Sequence, residues 1–122
     1  MQETMEFVVS EKQTARYLGS GKSDILATPA LVMLMEAVSQ KIIDNVVPDS
    51  WQSVGSYIEL RHDVMTPCGA KVEIQAVLSR IDGRELTFMV SAWDESGMIS
   101  RGIHKRILSR TEVLKRLLER KK

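Results

Sequence analysis

From Val54 to Ile107 apolar and polar residues alternate with a period of two, and only one stretch before them carries a long apolar helical period. Four consecutive strand patterns set against a single long helix is the tightest constraint on the fold. In VGSYIELRHDV, Val54, Ile58, Leu60, His62 and Val64 share one face, so His62 is expected to point where the aliphatic side chains point. KVEIQAVLSR brings Val72, Ile74, Ala76 and Leu78 into phase; ELTFMVSAW does the same for Leu86, Phe88, Val90 and Ala92. Asp82-Gly83 between them is a hairpin signal. A second turn, DESG, leads into MISRGIHKRIL, where Ile99, Ile103 and Ile107 alternate with polar neighbours. These four strands are expected to form an antiparallel meander, with His104 structural and on the more polar face. An earlier strand, EFVVS, is followed by the loop LGSGKSD.

The helix is expected to start at Thr28, a good N-cap, with Pro29 in the first helical position, where its missing N–H costs nothing. Leu31, Leu34, Met35, Val38 and Ile42 recur at helical spacing, and Asp44-Asn45 followed by Pro48 ends the run. RTEVLKRLLERKK reads as a short amphipathic helix with its basic side solvated. The outcome is one α+β domain over residues 1–122: a five-stranded antiparallel sheet against one long central helix, plus a short C-terminal helix. One sheet edge and part of the helix stay uncovered, so a homodimer that joins two sheets, or a dimer of dimers, is expected.

Composition excludes several classes of function. With 17 basic and 16 acidic side chains there is no electrostatic footprint for nucleic acid or an anionic membrane. No apolar run is long enough to span a bilayer, and the N-terminal residues lack the pattern of a signal peptide, so a cytoplasmic protein is expected. The single cysteine, Cys68, lies between Pro67 and Gly69 as a turn residue and offers neither a disulfide nor a metal cluster. GSGK lacks the glycine spacing of a phosphate loop. Trp51 and Trp93 read as packing or interface residues.

Three stretches, ATPALVMLMEA, VGSYIELRH with TPCG, and DGRELTFMVSAWDESGMISRGIHKR, resemble the hotdog-fold thioesterases of the fluoroacetyl-CoA thioesterase-like family over roughly residues 22–108. The sub-pattern is a threonine, a glutamate eight residues on, and a strand histidine after "LR". The resemblance implies that Thr28, Glu36 and His62 act together in cleaving an acyl-CoA thioester, and that Gly55 and Arg106 line the substrate site. It implies no cofactor beyond the coenzyme A of the substrate, and no metal. Lys22 stands where the fluoroacetate enzyme has its aromatic lid, so selectivity for fluoroacetyl is not carried over.

Each residue also has a plainer role. Glu36 is an acid within an oily helix, and burying an unpaired carboxylate costs several kcal/mol, so it calls for a partner. His62, facing inward, is the expected one. Thr28 serves as a helix cap, although the free N–H groups of a helix start also suit a developing oxyanion. Gly55 reads equally as a strand bulge and as a place of close backbone approach. Thr28 and Glu36 lie about 12 Å apart along one helix, so a shared substrate is flanked by them or held between two chains, the second being favoured. Hydrolysis by activated water and attack by Thr28 or Glu36 both stay open. The alternatives are a non-catalytic acyl-CoA sensor or carrier and a hotdog hydratase or dehydratase.

Overall fold

The computed structural model describes residues 1–122. Strand β1 spans Gln2–Val8, and a 3-10 turn (Glu11–Gln13) leads into the single-turn helix α1, Ala15–Leu18. The long helix α2 is Thr28–Asp44, followed by β2 (Trp51–His62), β3 (Lys71–Asp82), β4 (Glu85–Asp94), β5 (Gly97–Arg110) and α3 (Thr111–Glu119). The 3-10 turn and α1 carry too short a period to be read from sequence.

All five strands form one antiparallel sheet in the order β1-β3-β4-β5-β2. The meander is therefore three strands long, not four: β3, β4 and β5 follow one another, while β2 lies beyond β5 at the sheet edge. The reason is local. Gly83 and Gly97, at φ 60° and 120°, supply the left-handed positions that close the β3–β4 and β4–β5 hairpins. No such turn joins His62 to Lys71. That connection instead crosses the end of the sheet, pinned by a bridge between Ile25 and Pro67 and by bonds from Leu26 N–H to Thr66 C=O (2.8 Å) and from Gly69 N–H to Val9 C=O (2.8 Å). Cys68 is an exposed member of this connection.

The inward phases of β3 and β4 are as expected: Val72, Ile74, Ala76, Phe88, Val90 and Ala92 are buried against Leu31, Met35 and Val38 of α2. Two bulges alter the phases of β2 and β5. In β2 the register shifts between Gly55 and Tyr57, so Ser53 and Gly55 face α2 before the bulge, and Leu60 and His62 face inward after it. Val54 therefore does not share the face of His62. In β5 the extra residue is Ile99, opposite the shift between Ala92 and Trp93; beyond it His104 and Arg106 turn inward, while Ile103 and Ile107 take the other face. The placing of His104 on the polar face is thus corrected: it is 1% exposed. In α3 no residue is buried, and Leu117 and Leu118 are exposed.

Candidate active site

Helix α2 runs antiparallel to β2, and the two touch in rungs. Ser53 Oγ donates to Gln40 Oε1 at 2.7 Å, Gly55 lies against Glu36, and Thr28 Oγ1 is 2.8 Å from His62 Nδ1. The rungs share a cause: two residues of strand advance about as far as four of helix, some 6 Å, so positions 53 and 55 match 40 and 36. This seam follows the sheet edge, because β2 pairs with β5 alone.

At the middle of the seam Arg106 is 7% exposed, and each of its five N–H donors has an acceptor. Nε donates to Ser53 Oγ (2.9 Å); Nη2 to Gln40 Oε1 (2.9 Å) and Ser53 C=O (3.4 Å); Nη1 to Glu36 Oε2 (3.2 Å) and His104 Nε2 (3.1 Å). His104 Nδ1 lies 2.9 Å from the Tyr57 carbonyl oxygen, which only accepts, so Nδ1 carries the proton and Nε2 presents a lone pair. A proton on both nitrogens would set two donors against each other at Nη1. His104 is accordingly neutral, and its pKa is lowered, by burial first and by Arg106 as well, against the Tyr57 bond and Glu36. Burial likewise lowers Arg106, with Glu36 opposing, yet guanidinium remains a cation. The absence of a side chain at Gly55 leaves room for the carboxylate: a Cβ would fall 2.5 Å from Glu36 Oε2.

The other cluster lies at the start of α2. Helix capping falls to Ala27, which makes no side-chain bond; Thr28 is the first helical residue, and its hydroxyl is engaged by His62 instead. The N-cap role of Thr28 is thereby corrected. His62 is half-buried, its pKa lowered by burial, with Asp63 partly offsetting. Thr28 and His62 line a cleft of about 210 Å³ with Ile25, Leu26, Val64 and Met65, while Glu36, Gly55, Tyr57 and His104 line a separate one of about 240 Å³.

The structure brings Thr28 to His62, and Glu36 to Gly55 and Arg106, but within one chain it does not bring Glu36 to His62. The expected partnership of acid and imidazole is corrected to Glu36 with Arg106. Along β2, Gly55 and His62 are separated by a strand length on the order of 20 Å. Gln40, Ser53 and His104 were missed by sequence reasoning. The spacing of His104 and Arg106, two apart on one strand, places both on one face and was the signal available for the histidine.

Because burial holds both histidines neutral, protons bind the unfolded chain more readily between their lowered values and the ordinary histidine range. Their contribution to stability is thus complete above that range and lost as pH falls through it. The urea midpoint is expected to be lower at pH 5.5 than at pH 7.5, with the difference shrinking in His104→Gln.

A single antiparallel sheet wrapped around one buried helix, with an acid, an arginine and a histidine along their seam, defines a hotdog-fold protein. The chain belongs to the fluoroacetyl-CoA-specific thioesterase family (FlK), whose model matches residues 9–112. It is 30% identical over 115 residues to the fluoroacetyl-CoA thioesterase of Streptantibioticus cattleyicolor, covering 89% of this chain and 83% of that one. A solved structure of the fluoroacetyl-CoA thioesterase FlK superposes with a TM-score of 0.92 at 28% identity, covering 100% of this chain and 95% of that chain. A hypothetical protein of Thermus thermophilus, a thioesterase superfamily member, gives 0.91 at 26% identity, covering 98% and 89%. This chain is a thioesterase of that hotdog superfamily. No helix is long and apolar enough to cross a membrane.

Proposed function

We propose that the protein hydrolyses a small or medium acyl-CoA thioester to the free acid and coenzyme A in the cytoplasm, at a site completed by a second copy of the chain. The observation that carries this is the division of the seam into two half-sites, Thr28 with His62 and Glu36 with Arg106 and Gly55, beside a strand edge with no partner. Antiparallel pairing of β2 with β2 of the partner about an axis at Glu59, with the bulged Ser56 looped out, sets Gly55 of one strand opposite the His62 position of the other. Each half-site of one chain then faces the complementary half-site of its partner.

In that arrangement Glu36 is the base that takes a proton from water as the water attacks the thioester carbon. The Gly55 N–H and the start of α2 are suited to the developing oxyanion. The Thr28 hydroxyl, held 2.8 Å from neutral His62 and oriented by it, fixes the opposite side of the thioester; as the tetrahedral intermediate collapses the C–S bond breaks, and the departing sulfur takes up the proton held by Glu36. The absence of an aromatic residue at Lys22, which is exposed, supports broader acyl selection than fluoroacetyl alone.

Equal amounts of Glu36→Gln and His62→Ala, each inactive by itself on a panel of short, branched, aromatic and long acyl-CoA esters followed by free thiol, test both parts. Random re-pairing makes half of the dimers mixed, each with one intact composite site of two, so about a quarter of wild-type activity returns on mixing. No recovery after verified subunit exchange rejects the shared site, and a wild-type protein inert on the whole panel rejects the substrate class.

A further inference from the structure

Upstream of Arg106 the hydrogen bonds run in only one direction. The Asp44 carboxylate accepts from Gln40 Nε2 at 2.7 Å, which fixes the flip of the Gln40 amide and turns its Oε1 toward Ser53 and Arg106. Ser53 Oγ accepts from Arg106 Nε at 2.9 Å, so its own proton goes to Gln40 Oε1 at 2.7 Å. Gln40 Oε1 also accepts from Arg106 Nη2 at 2.9 Å. On the far side, Nη1 divides its hydrogens between Glu36 and neutral His104. A guanidinium is planar, so fixing Nε and Nη2 fixes the direction of Nη1.

We infer that Gln40 is a positioning residue: oriented by Asp44, it works with Ser53 to lock the plane of Arg106, and so sets where the Glu36 carboxylate stands beside Gly55. This rests on the assignment of Glu36 to the hydrolysis proposed above. Gln40 touches neither the Glu36 cleft nor the Thr28 cleft, so its influence on the reaction passes through Arg106. It is half-buried.

The inference separates orientation from mere filling of space. Gln40→Leu keeps the volume but removes the acceptor; it is expected to lower kcat about tenfold or more, with KM within about threefold, because base placement matters to the reacting state and not to the grip on coenzyme A. The exchange variant Gln40→Glu with Asp44→Asn reverses the donor and acceptor between positions 40 and 44 at constant net charge. The carboxylate it introduces at position 40 would still accept from Ser53 and Arg106, and kcat is expected to return to within about threefold of wild type. An activity-independent readout is the imidazole nitrogen spectrum of His104: in the wild type Nδ1–H is held by the Tyr57 carbonyl while Nε2 accepts from Nη1, and in Gln40→Leu the Nδ1–H tautomer stays but the Nε2 resonance shifts toward that of a nitrogen without a donor as Nη1 leaves it. Wild-type kcat in Gln40→Leu together with an unchanged His104 spectrum overturns the inference, as does failure of the exchange variant to exceed Gln40→Leu. Should Gln40→Leu not fold, Gln40→Met takes its place. The spectrum decides the positioning claim even if the acyl-CoA assay finds no substrate, so the two failures are distinguishable.

Discussion

Glu36→Gln is expected to lower kcat about 10³-fold while the protein stays folded, within the 10² to 10⁴ range that a general base supplies. The substitution is nearly isosteric, and the amide oxygen still accepts from Arg106 Nη1, so the buried guanidinium keeps all its acceptors. What is lost is the basic oxygen. The Glu36 side chain is 40% exposed, so the ion pair with Arg106, at 3.2 Å, is partly screened and its loss is a small change in stability beside the loss in rate. Circular dichroism and a thermal melt should therefore show little change where free-thiol release nearly stops. Retention of more than a tenth of the wild-type rate would remove Glu36 from the proton-transfer step and leave it a structural partner of Arg106. Binding distinguishes the remaining possibility: a protein that only carries acyl-CoA would bind it equally well in wild type and variant, and release thiol in neither.

The class of fold was legible because periodicity is dictated by burial. β3 and β4 have one face on α2 and one on solvent, and Val72, Ile74, Ala76, Phe88 and Val90 fall in phase as alternation requires. Bulges are not legible in this way. The single extra residue at Ser56 reverses the facing of all that precedes it, which separates Val54 from His62; Ile99 does the same in β5 and sends His104 inward. Strand order failed for another reason, since short turns declare their neighbours while a crossing connection such as 63–70 leaves no mark in local sequence. For the site, the residues implied by resemblance lie on one seam, but their partnerships differ from the expected ones. An inward acid called for a partner, and an inward histidine stood available in the pattern. The cation that answers, Arg106, comes from the last strand, seventy residues away in sequence, and is adjacent only because β2 and β5 pair.

Gly55→Ala is the sharpest probe of that adjacency, with an expected fall in kcat of about 100-fold and a much smaller change in stability. The added methyl would lie 2.5 Å from Glu36 Oε2, 3.4 Å from His104 Cε1 and 3.5 Å from Arg106 Nη1, so one atom must move. That atom is the far end of a flexible, partly exposed side chain, and swinging it outward strains little of the core. For catalysis the same displacement is severe: moving a reacting group by about 1 Å costs on the order of 10²-fold, and the carboxylate would also draw away from Nη1. Gly102 on β5 supplies the contrast. A Cβ there would press on the Glu59 carbonyl and on the Leu60 backbone, neither of which can turn aside, so Gly102→Ala is expected to lower the melting temperature rather than kcat per folded molecule. Melting curves and active-site-normalised rates for the two alanine variants therefore diverge in opposite senses if Gly55 is small to admit Glu36. Equal destabilisation in both, with the rate per folded molecule preserved, would mean that Gly55 is small only for the bend of the strand beside it.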